Sequence, residues 1–212
     1  MPSGGYLKWD ITFLPNKFWL DGRWYDFGAD SLTWEPADGV FVLDTMAGTN
    51  IMQSPYRGAS APLLADKWKF TVAMVADSED DLRSFMLSRA RARPVAFVPG
   101  VWAMDVFPAG QASGTLSRPV CSGLAGFPAT TPDGIPLGAA QTVQVYLNGT
   151  RDDAAATVAG QAVSVVTSGE IAVFYMPAFY VAFVPGPKWE ISDINNLKQA
   201  FDLEEIRTGS FG

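Results

Sequence analysis

The 212-residue chain contains no histidine, and that absence removes several chemistries together. Ser-His-Asp and Cys-His nucleophile pairs, imidazole acid–base catalysis and His-ligated zinc all require it. Cysteine is almost as scarce. Cys121 stands alone, so it can form no disulfide within the chain, which suits folding in a reducing compartment. With no imidazole to activate it, its thiol reads as a bystander. No Gly-rich phosphate loop, dinucleotide fingerprint or Gly-x-Ser-x-Gly elbow occurs. Long apolar runs are missing too: Ile171–Val184 is shorter than the ~20 residues of a membrane helix and is broken by Pro177. The opening stretch MPSGGYLKWDITF lacks the basic-then-apolar order of a secretory signal. Positive charge is the minority, 15 Lys and Arg against 22 Asp and Glu for a net charge of −7, so the overall field repels nucleic acid. These absences predict neither an enzyme nor a binder of metal, cofactor, nucleic acid or membrane.

What the chain does have is apolar and aromatic weight. Hydrophobic residues make up 48% of it, with seven Trp, 20 Gly and 15 Pro, a balance that favours a β-rich fold with many turns. The stretch from Asp66 to Phe107 carries the clearest boundary signals. In Lys67–Ala76, Trp68, Phe70, Val72 and Met74 fall on one face of a half-buried strand. A helix of about three turns, or ~20 Å, follows. Ser78 caps it, Glu79, Asp80 and Asp81 complement its dipole, and Leu82, Phe85, Met86 and Arg89 form a stripe. Arg89, Arg91 and Arg93 load its far end before Pro94 stops it. Val95–Val98, the turn Pro99-Gly100 and Val101–Phe107 read as a β-hairpin.

Elsewhere the signals are shorter. Tyr6–Phe13 and Gly39–Leu43 are strand candidates, and Asp44–Pro62 reads as an extended arm or loop. Leu14–Pro36 is dense in rings, either filling a core beneath irregular loops or forming a stacking platform. Pro108–Ala140 is a long Pro- and Gly-rich loop or linker. Thr142–Leu147 alternates into the hairpin turn Asn148-Gly149, a more economical reading of Asn148-Gly149-Thr150 than a glycosylation site. Ala162–Thr167, Ile171–Tyr175, Phe179–Val184, Trp189–Ile194 and Phe201–Ile206 complete the strand candidates, with the second and third turning about Met176-Pro177-Ala178. The organisation expected is an N-terminal region 1–107, a linker 108–140 and a C-terminal antiparallel region 141–212, or all of them as one domain.

Acidic clusters offer little chemistry. Glu79–Asp81 lacks the ligand spacing of a calcium loop, and the neighbours Asp152-Asp153 and Glu204-Glu205 point to opposite faces if they lie on strands. A hydrolase would need carboxylates gathered from distant parts of the chain.

Two stretches carry a resemblance to a known family. KWKFTVAMVADSEDDLRSFMLSRARARPVAFVPGVWAMDVF (Lys67–Phe107) is similar to the strand, helix and hairpin of the distal tail, or baseplate-ring, proteins of long-tailed phages and gene-transfer agents. QTVQVYLNG (Gln141–Gly149) with SGEIAVFYMPAFYVAFVPGPKWEISDINNLKQAFDLEEIR (Ser168–Arg207) resembles that family's C-terminal strands, and together the two stretches cover roughly half of the chain. The resemblance implies a mainly β fold with one principal α-helix, a β-sandwich-like belt domain bearing a strand–helix–hairpin unit. It also implies a homo-oligomeric, hexameric ring in the virion tail tip, assembled in the host cytoplasm. Tail tube protein, baseplate hub and tape-measure protein are the partners to expect, with no catalytic residue. On this reading Arg89, Arg91 and Arg93 face acidic groups of a neighbouring subunit, and Trp102 and Phe107 pack near the interface. The alternatives are a carbohydrate-binding β-sandwich stacking sugars on Trp19, Trp24 and Trp34, and a carboxylate-based glycan hydrolase.

Overall fold

The computed structural model describes residues 6–8, 17–36, 41–44, 50–53, 68–76, 79–90, 94–184 and 197–206. In chain order the strands are β1 (Tyr6–Lys8), β2 (Lys17–Leu20), β3 (Arg23–Pro36), β4 (Phe41–Asp44), β5 (Asn50–Gln53) and β6 (Trp68–Ala76). Helix α1 (Glu79–Ala90) leads to β7 (Val95–Val98), β8 (Trp102–Phe107) and β9 (Ser113–Thr115). After a 3-10 turn at Cys121–Gly123 come the short α2 (Ala139–Thr142), β10 (Val143–Leu147), β11 (Thr150–Arg151), β12 (Ala156–Ala159) and β13 (Ala162–Val165). Strands β14 (Ile171–Tyr175), β15 (Phe179–Phe183) and β16 (Leu197–Glu205) complete the set. The fold is mainly β with one principal helix, and the expected strands at Trp189–Ile194 and cap at Ser78 lie outside the described residues.

Six antiparallel strands close a barrel in the order β15-β16-β6-β3-β2-β7. Strict alternation fills it. Phe18 and Leu20 of β2, Phe70, Val72 and Met74 of β6, Val95 and Phe97 of β7, and Phe201 and Leu203 of β16 all point inward and are almost wholly buried. The face read from the sequence of β6 is the barrel's interior face. Rings meet edge to face inside, Phe70 lying 4.8 Å from Phe179 and 5.2 Å from Phe97 between centroids, the arrangement that aromatic quadrupoles prefer. Burying so many large side chains is the main favourable term, each contributing roughly 1.5–3 kcal/mol.

A second unit joins the five-stranded sheet β1-β8-β14-β10-β11 to the three-stranded sheet β12-β13-β9 over a separate core that includes Phe107, Leu116, Val145, Val163, Ile171 and Val173. Strands β4 and β5 form a hairpin of their own, where the sequence suggested an arm or loop after Asp44. Both main units draw on residues before 107 and after 141, and 108–140 supplies β9 and several buried residues.

The expected hairpin at Pro99-Gly100 does not form. Strand β7 pairs with β2 and β15 in the barrel, whereas β8 pairs with β1 and β14 in the second unit. Two-residue hairpin turns need a positive φ at the first central position, which the proline ring forbids. The chain therefore turns at Gly100 (φ 71) and runs on between the units. The turn expected at Met176-Pro177-Ala178 fails likewise: β14 stays in the second unit and β15 enters the barrel. Phe97 is opposite Phe179 and Ala103 opposite Tyr175, so the two crossings travel side by side. Two-residue hairpins sit at Asn148-Gly149 (φ 48 and 82) and Asp21-Gly22 (47 and 96), where both turn residues reach positive φ, and at Gly160-Gln161 between β12 and β13, where Gly160 in the first central position does (62).

The seam between the units has its own apolar cluster. Trp19, Val98, Cys121, Leu137, Met176 and Ala178 are buried there, with Trp24, Leu124 and Phe127 packed against them. Backbone bonds bind the long loop to the crossing strand: Cys121 N donates to Met176 O and Ala178 N to Pro119 O, at 2.9 and 2.8 Å.

Helix α1 buries Phe85 of the stripe expected of it but not Met86, and the side chains of Leu82 and Arg89 lie outside the described residues. Phe85 is fully buried with its ring tilted against Phe201, 4.7 Å between centroids, and Ser88 is buried, but Met86 is 48% exposed and Leu87 58%. The helix is tethered by polar contacts to the β2–β3 turn. Arg23 reaches Asp81 at 2.8 Å and Ser84 at 2.6 Å, and Ser88 donates to Asp21 at 3.0 Å. One ring plus these polar ties selects the docked face, so Met86 is turned outward.

Phe85→Ala is expected to lower the unfolding free energy by about 3–5 kcal/mol, because the cavity would open inside a closed barrel; urea denaturation followed by near- and far-UV circular dichroism checks this. Burial pushes the Cys121 thiol and the Tyr25 hydroxyl up to about 12. An unfolded chain releases those protons above about pH 8.5–10. The stability they contribute is complete below that range and is lost as pH climbs through about 12. The thiol should therefore resist DTNB near neutral pH until denaturant opens the seam, and the urea midpoint should fall steadily on the alkaline side.

Candidate functional site

Across the seam runs a buried chain of polar groups that no local motif announced. Arg118, in the loop after β9, forms a two-point ion pair with Glu205 at the end of β16; the Nη2–Oε2 bond is 2.9 Å. Both are nearly enclosed, at 7% and 4% exposure. Glu205 Oε2 also accepts the backbone N–H of Trp68 at 2.9 Å, which ties the carboxylate to the first residue of β6. On the other side, Arg118 N donates to Tyr175 Oη at 3.1 Å and Tyr175 Oη donates to Asp105 Oδ2 at 2.9 Å. Asp105, fully buried on β8, further accepts Ser117 N at 2.6 Å and Ser117 Oγ at 2.7 Å. The guanidinium lies 5.8 Å from the centroid of the Phe179 ring. Burial first, and the Asp105 charge next, hold the Tyr175 hydroxyl well above its ordinary value, so it stays a donor.

Asp, Tyr, Ser, Arg and Glu in one network are the residue types of acid–base catalysis. Their placement argues for a structural role: they are bonded to one another, and none lines either of the two hollows described below. No local pattern announces the set, because its members come from four elements and only the fold brings them together.

The other acidic groups are spent locally. Asp81 neutralises Arg23, Asp153 pairs with Arg151 at 2.9 Å and accepts Val145 N, and Asp152 accepts Ala154 N. The Val145 bond, then Arg151, lower the Asp153 carboxyl. On β16, Glu205 is buried and Glu204 exposed, the opposite-face placement that strand alternation requires. Among the described residues no group of three His, Cys, Asp or Glu is placed to hold a metal ion.

Of the residues expected at an interface, Arg89 occupies the last turn of α1 and Arg91 and Arg93 lie outside the described residues. Trp102 and Phe107 open and close β8, five positions apart, and an odd separation puts them on opposite faces of the sheet. Phe107 is wholly inside the second core and has no surface to offer a neighbour, which corrects its placement at an interface; Trp102 is on the outer face but is itself only 5% exposed. Among the rings considered for sugar stacking, Trp19 and Trp24 pack on Phe127 at 5.3 and 5.9 Å in the seam. They do not form an open platform, and the side chain of Trp34 lies outside the described residues.

The outer face of β8, β14 and β10 bears a groove of about 500 Å³ lined by Trp102, Met104, Gln144, Tyr146, Ala172 and Phe174. Tyr146 and Phe174 meet edge to face at 5.2 Å, and Tyr146 Oη donates weakly to Gln144 Oε1 at 3.3 Å. A smaller hollow of about 310 Å³ lies between β10 and β12, lined mainly by Ala and Val. No protein-family model matches this chain, nor does any curated protein.

Removing one partner of the seam pair leaves a buried charge uncompensated. Arg118→Met is expected to cost about 3–5 kcal/mol in urea denaturation, and Arg118→Met with Glu205→Leu to recover most of that loss.

Proposed function

We propose that the chain is a structural subunit of a phage tail tip, forming an oligomeric ring that connects the tail tube to the baseplate hub. The observation that carries this reading is the outward face of α1. Met86 and Leu87 are exposed side by side on a helix whose other exposed described side chains, Asp80 and Arg83, are charged, and α1 belongs to the stretch with the family resemblance. Adjacent large apolar groups on a rigid element suit burial against another protein. The helix also has an acidic start at Glu79–Asp81 and a basic end running through Arg89 to Arg91 and Arg93 in the sequence. Opposite charges at its two ends suit head-to-tail association, the mode that closes rings.

The purified protein is expected to sediment as a discrete ring-sized oligomer, seen as closed rings by negative-stain electron microscopy. Met86→Glu with Leu87→Glu should yield folded monomers by analytical ultracentrifugation. A wild-type monomer at tens of micromolar that also fails to incorporate into tails would overturn the reading.

A further inference from the structure

We propose that the groove on the outer face of β8, β14 and β10 is a binding site for a neutral sugar unit of a glycan. The inner face of the same sheet already supplies the second core through Ala103, Phe107, Val145, Ile171 and Val173, so the half-buried outer rings of Tyr146 and Phe174 are surplus to that packing, while Trp102 beside them is 5% exposed. An outward face of an antiparallel sheet is ordinarily polar. Here its lining among the described residues is Trp102, Met104, Tyr146, Phe174, Ala172, Gln144 and Gly149, none of them charged, in a protein of net charge −7. The concavity falls in the size range of small-ligand sites.

Its polar groups select the ligand class. Tyr146 spends its proton on Gln144 Oε1, which leaves the phenol oxygen as an acceptor. The Gln144 amide nitrogen has no hydrogen-bond partner among the described residues, so two N–H donors sit beside the rings. The cation nearest the rings among the described residues, Arg151 opposite Tyr146, is already paired with Asp153, so an anion would find no spare counter-charge there. A cation would meet the positive end of the amide. A purely apolar side chain would cover the amide and leave its donors unpaired. A saturated sugar ring meets both demands: its C–H face packs on the aromatic rings, and its hydroxyls accept from Gln144 Nε2 and donate to Tyr146 Oη.

The full chain is probed on an array of neutral hexose and N-acetylhexosamine oligosaccharides with anionic glycans alongside, and array binders are titrated by tryptophan fluorescence. At least one neutral oligosaccharide should bind, with affinity falling at least tenfold in Gln144→Leu and in Tyr146→Ala while circular dichroism is unchanged. The proposal is overturned if no neutral glycan binds, if Gln144→Leu binds as tightly as wild type, or if only choline, anionic glycans or 1-anilinonaphthalene-8-sulfonate gives a response. Sedimentation separates this site from the ring: Gln144→Leu is expected to leave the oligomer intact.

Discussion

The Arg118–Glu205 pair is the constraint from which the arrangement of the molecule follows. Glu205 ends the last described strand of the barrel and grips the backbone of β6; Arg118 stands in the loop that, through Ser117, Asp105 and Tyr175, belongs to the second unit. Apolar clusters fill space without fixing angle, and the seam around Trp19 and Met176 would tolerate some sliding. A planar guanidinium meeting a carboxylate at two points does not, since small rotations break both bonds while the charges remain desolvated. The network thus contributes less to net stability than to the uniqueness of one orientation.

Much of the local structure was legible. The alternation in Lys67–Ala76 identified the barrel's inward residues because each sits opposite a neighbour with the same period, and Asn148-Gly149 announced its hairpin through the φ values it needs. Asp21-Gly22 carries the same signal inside the ring-dense segment between Leu14 and Pro36. Sheet membership was not legible. A strand's period says which side chains share a face but not which sheet receives the strand, so β7–β8 and β14–β15 each read as a hairpin while their members separate. The stripe on α1 misled for another reason. Its docking is decided by Asp21 and Arg23, residues about sixty positions away, which outweigh the apolar claim of Met86.

The candidate sites divide along the same line. The groove's lining follows simple alternation on three strands, so its residues could have been grouped once their pairing was known. The seam network depends on Arg118, placed between a serine and a proline in a stretch without periodicity, and on Asp105, which interrupts an apolar strand. A lone acid in such a strand is the one local clue, because a buried carboxylate obliges the fold to bring it donors.

The paired crossings have a mechanical consequence. A pull that separates the barrel from the second unit is carried by two covalent crossings in parallel, β7–β8 and β14–β15, whose strands are hydrogen-bonded to each other on both sides of the seam. The load is shared between two tethers held together at either end. Two covalent tethers in register also leave no single loop to act as a hinge. The joint behaves as a stiff strut, able to pass tension or torque from one half of the molecule to the other without first unfolding either.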